Sequence, residues 1–378
     1  MASNLGRAHP PIGGGRAGSR RSMVLAMTQP LQPATSSKAK LRDPWLDNAK
    51  MVLVTIVVVG HMIVLVPPGD EQSRTYDFIY YFHIPAFVLV TGYLSKSFRY
   101  SRRHLLALLT TMVVPYVVFS WLMIHWREFL DQVPPDLEWF YDPRWPMWYL
   151  AAVVMWRLAT PVLRWHPVMV PVSVVVSLLA GLSNHETFDI NRALGFLPFF
   201  VLGLHLRPEH LAVLRRRGAW VAGVVGMLFL WWLAGRTDDL WATQFLYFRA
   251  PYAELGVGDA EGMWIRARLI VVALIGSAAV LTLVPHRRSF LTRMGAWSLV
   301  VYLCHGFVVR YLEYRGYKEW MPGTSWWSVI ITVAVGIALA LFLAWDPIAR
   351  TLNYVVDPVN SIGKWFRSRR RPRDSSAV

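Results

Sequence analysis

A single cysteine, Cys304, occurs in 378 residues. No intrachain disulfide can form and no cysteine-based zinc site can be assembled, and the apolar setting LVVYLCHGF predicts a small buried residue at Cys304 rather than a nucleophile. Charge is scarce as well: 16% of the chain is charged and 55% hydrophobic, which excludes an ordinary soluble enzyme of this length. Several motifs are missing. No GxSxG seats a serine nucleophile, no HxxxH or HxxEH offers paired metal ligands, and no Asp or Glu lies within a turn of His61 or His83. The first 42 residues have no apolar stretch of the kind a cleavable signal peptide carries. No halves with matching Gly- or Pro-broken segments repeat, so the sequence pointer to inverted-repeat transporters is absent.

What the chain does have is long apolar runs and 19 Trp, which favour the membrane-water interface. About 20 apolar residues cross a hydrocarbon core, and ten segments approach that length: 49–66, 77–95, 104–125, 146–163, 167–183, 193–207, 217–235, 265–285, 295–313 and 326–346. The predicted fold is all-α and polytopic, with about ten transmembrane helices in the cell membrane. With both termini placed in the cytoplasm, 28 of the 39 Lys and Arg fall on the inner side, as the positive-inside rule requires. The formal charge of +16 is therefore a topology signal rather than a nucleic-acid footprint, since no compact basic domain carries it. Residues 1–42 are expected to form a disordered basic tail, 43–346 the transmembrane domain, and 347–378 a basic cytoplasmic tail. The segment KWFRSRRRPR in that last tail suits anionic lipid headgroups or plain topology signalling equally.

Within the spans three histidines stand out, because ionisable groups at membrane depth usually face a cavity, a partner or a substrate path. His61 lies eleven residues beyond Lys50, which at ~1.5 Å per residue puts it about 16 Å past the interface, near the midplane. His305 is ten residues into another span that starts on the same side. His83 is six residues into a span running the other way, roughly 9 Å below the opposite surface. The three can converge, either as interhelical hydrogen-bonding groups or as a site in which an imidazole takes a proton from a hydroxyl.

At the cytoplasmic end, Asp47 can pair with Lys50 three residues on. Lys96, Arg99, Arg102 and Arg103 in SKSFRYSRRH form a basic cluster that fits the phosphates of an anionic cofactor, or positive-inside anchoring.

The blocks RDPWLDNAKMVLVTIVVVGH and FIYYFHIPAFVLVTGYLSK, then PMWYLAAV, FLPFFVLGLHL and GAWSLVVYLCHGF, resemble the acyltransferase 3 family over residues 42–346, and most closely its fucose 4-O-acetylase-like branch. The resemblance implies an integral membrane enzyme that moves an acyl group, typically acetyl from acetyl-CoA, onto a hydroxyl of a sugar, glycan or related acceptor, with no metal. It places the catalytic histidine of the first helix on His61 and the second motif histidine on His83. The family's Arg-x-x-Arg falls on Arg99 and Arg102, and its arginine eleven residues before the first histidine is Lys50 here, a positive charge without the guanidinium fork. On this reading Lys50, Arg99, Arg102 and Arg103 receive the acyl-CoA, His61 and His83 act on the acceptor, and His305 lines the chamber. Trp148 and Tyr149 stack on a sugar ring or belt the interface. A transporter or flippase using the same cavity without chemistry is the rival reading.

Overall fold

The computed structural model describes residues 43–130, 145–183 and 187–362. The predicted disordered tail at 1–42 and the KWFRSRRRPR segment lie outside the described residues. Among the described residues every regular element is helical.

The first helix, α1 (Pro44–Ile63), starts where the sequence says it should. Asp43 caps it by accepting from the Trp45 amide at 3.0 Å, Pro44 fills the first position, and Asp47 sits in the first turn, where the helix dipole favours an anion. Then follow α2 (Asp70–Tyr80), α3 (His83–Ser95), α4 (Arg102–Leu108), a π-helical turn (Leu109–Val113), and α5 (Val114–Phe129). The π turn ends two residues before Pro115, whose ring removes one backbone donor from the ladder. The middle of the chain forms α6 (Trp148–Leu163), α7 (Met169–Ala180), α8 (Ile190–Gly195), α9 (Leu197–His205), α10 (Pro208–Leu214), α11 (Ala219–Ala234) and α12 (Thr237–Leu240). The last part comprises α13 (Asp259–Leu283), α14 (Phe290–Met294), α15 (Ser298–Tyr314), α16 (Trp326–Leu343) and α17 (Asp346–Val356).

Six helical stretches among the described residues are long and apolar enough to cross a membrane, or up to eight if each of two bent pairs is one span. The bends are 58° between Thr187–Gly195 and Leu197–His205, and 75° between Pro208–Leu214 and Ala219–Ala234. Two shorter apolar helices, Trp148–Leu163 and Met169–Ala180, stand apart from that set. Sequence boundaries differ from the observed ones mostly where polar residues extend a helix beyond its apolar run: the second stretch begins at Asp70 rather than 77.

Helix α1 runs through the centre, packed on α3, α14, α15 and α16. Its base is fixed by Asn48, which is fully buried. The amide donates to the carbonyls of Pro285 at 2.7 Å and Arg287 at 2.9 Å, and its oxygen accepts from Ser289 at 3.2 Å and Thr292 at 2.7 Å. One side chain thereby ties α1 to the whole turn before α14. On the far side of that turn, Asp346 accepts from the Trp297 indole at 2.8 Å and the Arg293 guanidinium at 2.5 Å. Those two bonds hold its carboxyl below the usual carboxylate range.

Helices α3 and α9 meet backbone to backbone. A Cβ at Gly92 would lie 2.1 Å from the Phe200 carbonyl oxygen, and one at Gly203 would lie 2.2 Å from that of Leu89. Small residues allow such approach, and dispersion rather than the hydrophobic effect then holds the helices. Because the obstacle is backbone and cannot rotate away, Gly92→Ala is expected to destabilise the fold by about 1–3 kcal/mol, the usual cost of overpacking. Thermal unfolding of the purified variant in detergent checks this; an unchanged midpoint would mean that the two helices can separate freely.

Candidate active site

Two cavities lie along α1, one beside each half. The larger, about 330 Å³, is bounded by His61, His83, Trp145, Pro146, Tyr76, Tyr80, Arg192 and Arg310, among others. The smaller, about 140 Å³, lies beside Lys50, with Leu53, Phe87, Val90, Leu94, Met112, Leu150 and Val153 as apolar walls and Arg157 as a second cation. Tyr149 and Tyr302 line both. The partition between the cavities is therefore made of two tyrosines with ring centres 5.7 Å apart. Each hydroxyl is tied back: Tyr149 shares a hydrogen bond of 2.5 Å with Thr91, and Tyr302 donates to the Pro146 carbonyl.

The three histidines are buried, at 8%, 1% and 0% exposure for His61, His83 and His305, so their ring nitrogens must find partners inside the protein or in a ligand. Their tautomers follow from what the partners can do. An indole N–H only donates, and Trp145 Nε1 lies 3.3 Å from His61 Nε2. His61 Nε2 is therefore the unprotonated nitrogen and Nδ1 carries the hydrogen. His61 Nδ1 sits 2.8 Å from His305 Nε2, which accepts, leaving His305 Nδ1–H to donate to the Val301 carbonyl at 3.1 Å. The chain of donors runs in one direction from Trp145 through His61 and His305 to the backbone. The two imidazoles are nearly parallel, 14° between planes, with centres 5.1 Å apart.

His83 differs. Its Nδ1 donates to the Ile79 carbonyl at 2.8 Å, so Nε2 holds the free lone pair. That atom is buried and has no hydrogen-bond partner among the described residues, while His83 lines the larger cavity. It is an acceptor that no donor among the described residues satisfies.

Of the residues expected from sequence to act together, His61 and His83 share one cavity, whereas His305 stands behind His61 and is not in the wall. Both histidines deep in spans of the same direction meet because α1 and α15 pack side by side. Lys50 lines the smaller cavity and is held 2.8 Å from Asp47. Arg99, Arg102 and Arg103 are exposed and line neither cavity. The cation opposite Lys50 is instead Arg157, donating to Ser95 Oγ at 3.4 Å. Trp148 lines the larger cavity, but Arg192 lies over its ring, 3.9 Å from the centroid, and Phe196 stacks on it at 5.7 Å. The aromatic surfaces presented to that cavity come instead from Tyr76 and Tyr80, stacked at 3.9 Å, and Tyr247, whose hydroxyl is 2.7 Å from that of Tyr76.

Sequence reasoning passed over Trp145, Arg192 and Tyr302. Arg157 carried a readable signal, a charge inside an apolar run that needs a cavity or a partner. Trp145 and Tyr302 carried none, being aromatic residues in a chain full of them. No group of three or more His, Cys, Asp or Glu that could hold a metal ion occurs among the described residues.

No solved structure matches the chain. A stretch of 60 residues is 38% identical to nodulation protein NolL of Mesorhizobium japonicum, covering 15% of this chain and 16% of that protein. Residues 43–345 match the family model described as an acyltransferase domain, from the cap of α1 to the end of α16, the span that builds both cavities and the histidine array, and the chain thus belongs to the acyltransferase 3 family.

Proposed function

We propose that this chain is a multi-pass O-acyltransferase of the cell membrane that moves an acyl group, acetyl in the first instance, from acyl-CoA to a hydroxyl of a sugar or glycan. The observation that carries the reading is the pair of cavities on either side of Tyr149 and Tyr302, with His61, backed by His305, beside one and two cations beside the other. In the proposed topology the two shorter apolar helices also cross the bilayer and join the eight others to give ten spans. The Lys50 end then faces the cytosol, the source of the thioester. The finer kinship, to the fucose 4-O-acetylase-like branch, rests on the two opening sequence blocks around His61 and His83.

Lys50 and Arg157 meet the anionic end of the donor, and the apolar slot behind them takes the pantetheine arm with the acyl group foremost. Arg99, Arg102 and Arg103, at the surface after α3, attract the CoA phosphates before docking rather than hold them in the slot. A slot of about 140 Å³ ending on two tyrosine rings suits a short acyl chain. The acceptor occupies the larger cavity, its ring against Tyr76, Tyr80 and Tyr247.

The chemistry then needs only side chains at hand. The acceptor hydroxyl replaces the long Trp145 bond on His61 Nε2 and passes its proton there as its oxygen attacks the thioester carbonyl. The C–O bond forms, the C–S bond breaks, and the proton leaves His61 for the CoA sulfur. His305 keeps His61 Nδ1–H engaged throughout and so fixes the tautomer and ring orientation, the part a carboxylate plays in a serine-protease triad. His83 Nε2 accepts from a second hydroxyl of the acceptor and fixes its position.

Membranes holding the protein should consume labelled acetyl-CoA and pass the label to an added glycan acceptor; a transporter would leave the thioester intact. Tyr302→Phe supplies a finer test. It keeps the ring but removes the tie to Pro146, so the partition loosens and water reaches the thioester. Acceptor-independent hydrolysis of acetyl-CoA is expected to rise while transfer falls. Parallel changes in both rates would mean that Tyr302 does not separate the two halves of the site.

A further inference from the structure

The larger cavity carries more positive charge than a neutral sugar requires. Arg192, Arg249 and Arg310 line it, against one acid, Glu313. Glu313 is paired with Arg310 at 2.6 Å. Behind the wall a single carboxylate, Asp189, serves two guanidiniums, Arg249 at 3.0 Å and Arg192 at 3.9 Å. Among the described residues, Arg192 and Arg249 thus share one carboxylate between them.

Arg192 is the deeper of the two, with its side chain 15% exposed against 49% for Arg249. Its guanidinium is braced over the Trp148 ring, an arrangement that keeps a planar fork in one orientation. The nearest Asp189 oxygen faces Nη1, while the buried Nε has no hydrogen-bond partner among the described residues. Leaving a buried charged donor unsatisfied is costly, more so than for a neutral group. The backbone beside it is held in an uncommon shape: Phe188 and Asp189 both have left-handed φ, 54° and 53°. Neither is glycine, and strain of this kind persists where surrounding contacts over-determine it, often at ligand sites. It places the Asp189 carboxylate between the two arginines.

We infer that Arg192 and Arg249 form an anion subsite in the acceptor cavity, and that the acceptor is a sugar bearing a phosphate or carboxylate group. A planar or tetrahedral oxyanion supplies the two oxygens that match a guanidinium edge, and it meets the positive charge that Arg192 and Arg249 bring to the cavity wall. The tyrosine wall and His83 Nε2 take the sugar's ring and hydroxyls on the same side, so the anionic group sets which hydroxyl faces His61. This rests on the acyltransfer reading above and names its substrate class.

Isothermal titration of the full chain in lipid nanodiscs tests it, with glucose, glucose 1-phosphate, glucuronic acid and 3′,5′-ADP as probes. At least one of the two charged sugars should bind about ten-fold or more tighter than glucose, and the advantage should shrink with added salt. Arg192→Gln should abolish the advantage, and Arg249→Gln, a change at a half-exposed side chain, should reduce it. Equal affinity for charged and neutral sugars, or no measurable binding of any sugar, overturns the inference. Arg192-dependent binding of 3′,5′-ADP in preference to the sugars also overturns it, because the subsite would then belong to the donor's phosphates. Consumption of labelled acetyl-CoA is measured on the same preparation. If the thioester is consumed without anion preference, only the subsite fails; if anion preference persists with the thioester untouched, the acyltransfer reading fails.

Discussion

His61→Ala is expected to lower acetyl transfer by about 10²–10⁴-fold, the range that a positioned general base contributes, with acetyl-CoA binding unchanged. The split matters because α1 carries both ends of the site, Lys50 beside the smaller cavity and His61 beside the larger. A variant that merely disturbed the helix would lose both functions. His305→Gln is the companion. A glutamine can still present an acceptor oxygen to His61 Nδ1–H, so a part of the activity should survive, whereas His305→Leu leaves that hydrogen buried without a partner and should approach the His61→Ala value. Transfer rates and donor affinity in reconstituted membranes measure both. If His61→Ala kept full transfer, the proton would have to leave through another group, and His83, a cavity-wall histidine whose buried Nε2 has no hydrogen-bond partner among the described residues, would be the replacement.

Asn48→Ala should be the most damaging single change to stability outside the cavities. It deletes two donors serving backbone carbonyls of the turn before α14 and one acceptor serving two hydroxyls. Each group left unsatisfied costs roughly 1–3 kcal/mol, reduced where water reaches it, so a total of about 2–4 kcal/mol is expected. Asn48→Asp is informative beside it: the acceptor side of the network survives, but the carbonyls of Pro285 and Arg287 then face a carboxylate. Both variants should unfold at lower temperature in detergent, with Asn48→Asp tolerated no better than Asn48→Ala. Because the clamp positions the start of α1, the affinity for acetyl-CoA at the Lys50 end should fall before transfer chemistry at the His61 end does. A full-stability Asn48→Ala would show that the packing of α1 on α3, α15 and α16 suffices without the clamp.

Local chemistry made much of the molecule readable in advance. Asp43 and Pro44 open α1 by satisfying and sparing amide donors at its first turn, an effect that needs no tertiary partner. The salt bridge of Lys50 with Asp47 follows from helical spacing alone. Apolar run lengths and the asymmetry of Lys and Arg pointed to membrane spans, and membrane depth made His61, His83 and His305 conspicuous because lipid penalises an imidazole wherever the helix happens to pack. The two bent pairs were harder: the apolar runs 193–207 and 217–235 cover little more than the second helix of each, and the short helices joined to them, Thr187–Gly195 and Pro208–Leu214, carry polar residues that no span pattern includes.

What depth arithmetic cannot supply is azimuth, the direction in which a side chain leaves its helix relative to helices hundreds of residues away. Two histidines at one level can face each other, a cavity or lipid. Only the packing of α1 against α15 made His305 back His61, with its Nε2 at 2.8 Å, instead of lining the chamber. The same limit separated Arg99, Arg102 and Arg103, adjacent to Lys50 in charge logic, from the cavity that Arg157 enters. It also assigned Trp148 to bracing Arg192. Which residues are expensive in a membrane, and at what depth they sit, can be read along the chain because burial cost and helix rise are local quantities. Which of them meet is a matter of packing, since a hydrogen bond requires two atoms within about 3 Å and that distance depends on how separate helices are rotated against one another.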